Sequence, residues 1–473
     1  MIELYSYQKD YIRALRDAIK QGKKRLILSA PTGSGKTVMF SFMAKSANKK
    51  GKSVLVFTHR SELLTQAEGA FNEFGLYPEY IEAGSHPNLN SNLHVAMIET
   101  FHRRIDKYAN FLQTRDVIIF DEAHLQNFNK ILDYTSSEQV IIGATATPYR
   151  KGNERCLSDN YDKIVQVIDT PELIKIGKLV KAESYGINID LKGLKKTGAD
   201  YDTKEYFEQN KTYKGVVNNY ERHAKGLKTI VFSSNIESSK TVCAEFQSKG
   251  YNAKHIDGSS KDRKEVFKWF NDTPNAILCN CGIATTGFDQ KDIEAVVLYR
   301  ATTSLPLFLQ MCGRGSRTYP SKTKFKILDF GNNIQRHGFW EEPRQWELKK
   351  QGKNKLGEAA IKNCPKCDAM NYATAKECIV CGFTFPEKEK ERTEDEIILE
   401  LLEKKQIKGR LISSLTLQEL IICQNAKVFK PQYVWRIVRT RGDLKQYAAL
   451  MRYSDGWVYR QQNEPKGFKD KRI

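Results

Sequence analysis

The run Ala30-Pro31-Thr32-Gly33-Ser34-Gly35-Lys36-Thr37, directly behind the apolar stretch Arg25–Ser29, restricts the fold more than any other feature of this chain. Gly33 and Gly35 let the backbone turn tightly after a strand. A turn that then opens a helix gathers several N–H groups around one point, which is a cradle for phosphate. The Gly33-Ser34-Gly35 backbone would wrap the phosphates, Lys36 would reach the β and γ phosphates, and the Thr37 hydroxyl would bind Mg2+. Ala30 stands where the general pattern has glycine. The bland alternative is a Gly/Ser turn that happens to precede Lys-Thr, and the strand in front argues against it.

A strand that feeds a phosphate loop belongs to a parallel α/β sheet, and the surrounding sequence continues that pattern. Arg25–Ser29, Val54–Phe57, Val117–Phe120 and Val140–Ile142 are near-continuously apolar, as strands covered on both faces should be. The pattern restarts at Thr229–Phe232, Ala276–Leu278, Ala295–Leu298 and Phe325–Leu328. Two arrays in succession predict two α/β domains, and 473 residues are too many for one ordinary core.

Asp121-Glu122-Ala123-His124 follows the third of these runs. Ligands of parallel sheets gather at the carboxyl ends of the strands, so both carboxylates are expected to face the phosphate loop. Asp121 is suited to hold Mg2+, and Glu122 to orient and deprotonate an attacking water.

Together these motifs resemble the DEAH-type signature of superfamily 2 helicases, in which alanine at the first loop position is tolerated. Further elements follow in order. Leu4-Tyr5-Ser6-Tyr7-Gln8 is similar to the element whose glutamine reads adenine, with Tyr5-Ser6 in place of the usual Arg-Pro. Thr58-His59-Arg60-Ser61-Glu62-Leu63 and Ile98-Glu99-Thr100 resemble strand-contacting elements. Gly143–Pro148 resembles the segment that couples hydrolysis to domain movement. Thr285–Asp289 and Gln310–Arg317 resemble the last two motifs, and from the former Gly287 and Asp289 join the expected nucleotide set. Thr147-Pro148-Tyr149-Arg150, Thr286–Asp289, Gly313–Arg317 and Leu328–Asn332, with a cysteine module behind them, are most similar to the RadD (YejH)-like DNA-repair helicases of bacteria and phages. This resemblance covers roughly residues 4 to 385. It implies two tandem RecA-like domains and, through the family alone, single-strand-binding or recombination proteins as partners.

Physical logic agrees with the resemblance. Phosphoryl transfer requires positive charge on the γ-phosphate, and an arginine finger is worth about 10³–10⁵ in rate. Arg314 and Arg317 lie three apart and would share one helix face; the bland reading is a basic surface pair. They belong to the second domain, Lys36 and Glu122 to the first, so hydrolysis would require closure of the cleft between them. His59, Arg60, Thr100, Ser233, Thr285 and Thr286 are candidates for gripping a strand's phosphate backbone, although a threonine near a strand end is more often a cap. His255 and Asp257 read as a structural turn.

Cys364-Pro-Lys-Cys367 and Cys378-Ile-Val-Cys381 form two CxxC knuckles, whose four thiolates can complete a closed tetrahedral site. Zn2+ is the expected ion, with a rubredoxin-like iron site and disulfides as the alternatives. Structural, protein-contact and DNA-binding roles for this ribbon are open. The other six cysteines are scattered and read as reduced core residues or bystanders.

Charge narrows the partner. Lys+Arg number 76 against 56 Asp+Glu, and half of the +20 excess falls between Leu401 and Ile473. That balance favours a polyanion, nucleic acid above all, with DNA preferred over RNA. In the tail, aromatics interleave with the charge at Tyr433, Trp435, Tyr447, Trp457 and Tyr459. They suit either base stacking or the core of a small folded module. No stretch approaches 18 consecutive apolar residues, so no membrane partner is expected. The resemblance implies a cytoplasmic location in a bacterial or phage-infected cell.

The expected organisation is a RecA-like ATP-binding domain over 1–150 and a connection with lead-in over 151–225. A second RecA-like domain over 226–340 and a linker over 341–360 follow. A zinc ribbon over 361–386 and a charged helix with a basic C-terminal module over 387–473 complete it. The expected function is an ATP-dependent DNA helicase or translocase. An RNA helicase and an ATP-gated nucleic-acid clamp are the alternatives.

Overall fold

In the computed structural model, residues 3–59, 68–150, 156–186, 196–197, 200–201, 212–283, 290–348, 360–386, 411–425 and 429–462 are described. The chain divides into a unit spanning Met1–Phe385 and a second spanning Pro386–Ile473.

The apolar runs become strands because each supplies side chains to both faces of a sheet. In the first sheet these are β1 (Arg25–Ser29), β2 (Val54–Thr58), β3 (Glu79–Ile81), β4 (Leu93–Met97), β5 (Val117–Asp121), β6 (Val140–Thr145) and β7 (Lys163–Val165). Their spatial order is β3-β4-β2-β5-β6-β1-β7, and every pairing is parallel. Leu26 and Leu28 of β1 join one core with Tyr11, Met39 and Phe40, whereas Ile27 joins another with Phe101, Phe120 and Phe128. This alternation is what a doubly covered sheet requires. Each such buried aliphatic side chain contributes about 1.5–3 kcal/mol.

The second sheet contains β8 (Lys181–Gly186), β11 (Thr229–Ser233), β12 (Ala253–Ile256), β13 (Ile277–Asn280), β14 (Ala295–Tyr299) and β15 (Lys324–Asp329). It runs β12-β13-β11-β14-β15-β8, again wholly parallel. Between β8 and β11 a two-residue pair, β9 (Lys196–Thr197) and β10 (Asp200–Tyr201), forms an antiparallel bridge. Two tandem parallel-sheet domains are therefore present, as the sequence pattern predicts.

Two connections differ from the expected scheme. The stretch 151–225 gives an edge strand to each sheet: β7 pairs with β1 in the first, and β8 with β15 in the second. Both strands carry polar residues, as sheet edges do, and so do not read as apolar runs. The segment expected as the start of a linker crosses back to the first domain. Trp340 packs edge-on against Phe325 of the second domain, with ring centroids 5.5 Å apart. Gln166 Nε2 then donates to the Arg344 carbonyl at 2.9 Å, and Ser158 N to the Leu348 carbonyl at 3.2 Å. The two domains are thus joined by a second crossing, which packs beside the cleft.

The cysteine module is a short antiparallel hairpin, β16 (Ile361–Asn363) and β17 (Met370–Tyr372), docked on β8. Ala369 bridges Tyr185, Asn363 Nδ2 donates to the Gly186 carbonyl at 3.3 Å, and Arg222 pairs with Asp368 at 2.6 Å. Cys364, Ala369, Cys378 and Phe385 share an apolar cluster with Tyr185 and Leu328. The ribbon therefore covers an edge that would otherwise be open for pairing.

The second unit is helical: Leu417–Asn425, Pro431–Thr440, Leu444–Leu450 and Asp455–Gln462. Its core is Leu420, Val434, Trp435, Ile437, Val438 and Tyr447. Trp457 lies 4.5 Å from Tyr453 and 6.4 Å from Trp435, measured between ring centroids. Of the two readings of the tail's aromatics, a folded core accounts for these four residues; Tyr459 is 70% exposed. The helical stretch expected near Ile397–Leu402 lies outside the described residues. No helix among the described residues is long and apolar enough to cross a membrane.

Candidate active site

The phosphate loop leaves β1 and enters the helix Lys36–Asn48, and its shape depends on two glycines in the left-handed region, Gly33 at φ 91° and Gly35 at φ 79°. A Cβ on Gly35 would lie 2.5 Å from Gln8 Nε2, so no other residue fits there without movement. The loop is braced from the helix Ser6–Lys20. Tyr7 Oη and Gln8 Nε2 both donate to the Ser34 carbonyl, at 2.9 and 3.0 Å, while Gln8 Oε1 accepts from Tyr5 N at 3.0 Å. Gln8 thus sits against the phosphate loop, with both ends of its amide engaged by backbone. Lys36 Nζ donates to the carbonyls of Ala30 and Pro31 at 3.3 and 3.5 Å. Burial pushes this ammonium below its ordinary pKa, while Glu122 and Asp121 oppose that shift.

Asp121 ends β5, and Glu122 turns the chain out of the sheet with φ 54°. A left-handed glutamate is uncommon and costs strain, which the surrounding contacts must hold. Burial beside Glu122 pushes the Asp121 carboxyl up to about 7, against the pull of Lys36. Glu122 Oε2 is shut from solvent and makes no hydrogen bond; His124 Nδ1 is 3.3 Å away. A buried Asp121, a partly buried Glu122 with one oxygen lacking a hydrogen bond, and a partly buried Lys36 beside a glycine cradle fit a cation-bound triphosphate and a water. Thr37, in the first turn of the helix, and Asp121 are the side chains that could hold Mg2+.

His124 also contacts Thr145 Oγ1 at 2.9 Å, and that oxygen accepts from Thr147 N at 3.0 Å. The carboxylate loop and the segment after β6 are therefore linked directly. Gly143 of β6 makes this packing possible. A Cβ there would lie 2.6 Å from Ala123 Cβ, 2.8 Å from Tyr161 Oη and 2.9 Å from Ile27 Cδ1. Gly143→Ala is expected to destabilise the chain by about 1–3 kcal/mol through overpacking, read as a lower urea midpoint at unchanged slope.

The second domain reaches the same loop. The helix Leu305–Cys312 ends one residue before Gly313, so Arg314 and Arg317 do not share a helix face as expected. A turn bends the chain away, and Arg317 is held instead by a bridge to Leu179. Arg314 is buried, and both guanidinium groups lie close enough to Lys36 to depress its pKa. A Cβ on Gly33 would lie 3.2 Å from Arg317 Nη1 and 2.7 Å from Leu179 Cδ2. One on Gly313 would lie 2.8 Å from Thr32 Cγ2. Beside this contact a shallow pocket opens, lined by Pro31, Thr32, Ala146, Leu309, Trp340 and Arg344 among others. Leu179 carries no sequence signal; only the fold places it here.

The remaining candidates are less gathered. His59 follows β2, and Thr100 lies on the short helix Ile98–Arg103; both are partly exposed. Ser233 ends β11, fully buried with an unpaired hydroxyl, so it offers no surface to a strand in this conformation. Arg60, Thr285, Thr286, Gly287 and Asp289 lie outside the described residues. His255 bridges Ser239 Oγ and Asp257 Oδ2, each at 2.9 Å; with Ser239 buried this is a structural network.

Away from the cleft, the four sulfurs of Cys364, Cys367, Cys378 and Cys381 lie within 4.8 Å of one another. The 364–381 and 367–378 pairs stand at 3.6 and 3.7 Å. A tetrahedron with metal–sulfur bonds of about 2.3 Å has edges of this size. Asp368 at φ 61° and Gly382 at φ 68° close the two knuckles.

Residues 1–150 match the family described as Type III restriction enzyme, res subunit, and residues 211–319 match the Helicase conserved C-terminal domain. A 51.5 kDa protein of a Lactococcus phage (isolate 7-9) is 31% identical over 402 residues, 82% of this chain and 84% of the relative. The putative ATP-dependent helicase IRC3 of Saccharomyces cerevisiae is 32% identical over 365 residues, 69% of this chain. The chain spans about half of that relative's length, 51%. Among solved structures, a fragment of a putative HsdR subunit of a type I restriction enzyme from Vibrio vulnificus YJ016 shares the fold. Its TM-score is 0.55 at 24% identity, over 72% of this chain and 67% of that one.

Proposed function

This chain belongs to the superfamily 2 helicases, and from that premise we propose that it is a DNA-dependent ATPase that moves along or remodels DNA. The observation that carries the reading is the arrival of Arg317 and Gly313, from the second domain, at Gly33 and Thr32 of the phosphate loop. Neither domain holds the full set of groups that phosphoryl transfer needs.

Gly33, Ser34 and Gly35 present backbone N–H groups to the phosphates, and Lys36 leaves its two carbonyl partners for the β and γ phosphates. Mg2+, held by Thr37 and Asp121, would neutralise phosphate charge when bound. Glu122 takes a proton from the attacking water as its oxygen bonds to the γ-phosphorus and the bond to the bridging oxygen breaks. Arg314 and Arg317 stabilise the charge that spreads over the γ-phosphoryl oxygens. Because these arginines belong to the other domain, loss of the γ-phosphate loosens the cleft. Repeated closing and opening then moves a strand past His59, Arg60, Thr100, Thr285 and Thr286. Gln8, Gly287 and Asp289 complete the nucleotide set, and Ser233 joins the strand contacts only if β11 becomes accessible.

The +20 charge and the resemblance to RadD-like proteins support DNA as the track and repair, recombination or replication as the setting. The phage relative supports a bacterial or phage-infected cytoplasm. The spacing of the four sulfurs supports Zn2+ as their ion and the ribbon as a structural cap on the second domain. Glu122→Gln is expected to lower turnover by about 10²–10⁴-fold while nucleotide still binds; unchanged turnover would remove Glu122 as the base. Strand displacement on forked DNA with ATP, run beside an RNA panel, tests the function. Stimulation by RNA alone would replace DNA with RNA, and stimulation by DNA without displacement would leave a translocase or clamp.

A further inference from the structure

Arg150 lies beyond the catalytic set, two residues after Pro148, yet its guanidinium faces the loop that carries Glu122. Nε donates to the His124 carbonyl at 3.1 Å, and Nη2 to the carbonyls of Ala123 and Leu125, both at 3.1 Å. Nη1 donates to Asn129 Oδ1 at 2.9 Å, and Asn129 also accepts from Asn160 Nδ2 at 3.0 Å. One planar cation thus gathers three consecutive carbonyls and one side chain.

The arrangement has a physical cause. Leaving β5 through a left-handed Glu122 turns the following carbonyls away from the sheet, where no ladder satisfies them. Backbone support on this stretch comes from Ala123 N to the Ala144 carbonyl at 3.1 Å and Leu125 N to the Glu122 carbonyl at 2.9 Å. The carbonyls themselves converge on Arg150. Five fixed donors in one plane match diverging acceptors, and a lysine, a compact point charge with three donors, does not.

We infer that Arg150 is a positioning residue for ATP hydrolysis: it clamps the Ala123-His124-Leu125 backbone and thereby holds Glu122 in its strained conformation, aimed at the phosphate loop. This deepens the reading of the chain as an ATPase and rests on it. Arg150 acts through the loop whose carbonyls its guanidinium holds. It also follows Thr145 and Thr147, so it ties the segment after β6 to the carboxylate loop a second time, beside the His124–Thr145 contact.

The test uses the full chain carrying Arg150→Ala, Arg150→Lys and Asn129→Ala. Arg150→Ala is expected to lower kcat by about 10²-fold, the scale of a small misplacement at a catalytic centre. The affinity for a fluorescent ATP analogue and its stoichiometry should stay near wild type, because Gln8 and Lys36 are untouched. Arg150→Lys should not rescue turnover, guanidinium ion added to Arg150→Ala should do so in part, and Asn129→Ala should lose less than Arg150→Ala. Hydrogen exchange without nucleotide reads the clamp separately: amides of Ala123, His124 and Leu125 should exchange faster in Arg150→Ala. Unchanged exchange, kcat within twofold of wild type, or analogue binding lost in step with turnover would each overturn the inference. A wild-type chain that hydrolyses no ATP would instead overturn the functional reading beneath it.

Discussion

Cys378→Ser, or stripping the chain with a strong chelator, is expected to unfold the ribbon and give the largest loss of stability of any change considered. Binding of a structural zinc supplies roughly 10–16 kcal/mol of apparent folding energy in small modules that lack a core of their own. This ribbon is of that kind, a hairpin of two three-residue strands with two knuckles, whose apolar side chains are completed by Tyr185 and Leu328 of the second domain. Its collapse would uncover β8, an edge strand pairing only with β15 on its other side. The variant should therefore melt earlier and aggregate as concentration rises. Metal analysis of the purified wild type should find one zinc per chain. A metal-free wild type, or a Cys378→Ser chain that melts like it, would contradict the assignment.

The second large effect falls on turnover. Arg317→Ala should lower ATP hydrolysis by about 10³-fold or more, the usual range for an arginine finger, with nucleotide affinity changed far less. Arg317 suits this experiment better than Arg314. It is partly exposed, so its truncation leaves little buried charge unpaired, whereas Arg314 is buried and its loss would also cost stability. Arg317→Lys should remain defective, because one ammonium cannot reproduce the planar fork. A wild-type rate in Arg317→Ala would leave the second domain with no chemical part in hydrolysis.

What the sequence made legible follows from where each strand sits. Central strands such as Val117–Phe120 and Ala295–Leu298 are apolar on both faces and stand out as runs. β7, β8 and β12 are edge strands, and Lys163, Lys181, Glu183, Lys254 and His255 interrupt their patterns. β4 is buried on both sides but contains His94, buried and held against the Asn88 carbonyl at 3.0 Å, and so reads as mixed. The phosphate loop, the acidic pair and the four cysteines were legible because their chemistry fixes both residue type and spacing. The helix face assumed for Arg314 and Arg317 failed because Gly313 ends the helix, and Arg317 is placed by its bridge to Leu179, which no motif marks. The return of residues 340–348 to the first domain was hidden for the same reason: its contacts run through the Arg344 and Leu348 carbonyls, and a backbone carbonyl has no sequence signature.

The account depends on one nucleotide being gripped from both sides of the cleft. Hydrogen exchange of the whole chain, with and without a slowly hydrolysed ATP analogue and Mg2+, measures that grip directly. Slower exchange is expected both in peptides covering residues 31–37 and in peptides covering residues 313–317. Protection confined to the first set, at full occupancy, would show a nucleotide that the second domain never touches and would contradict the account.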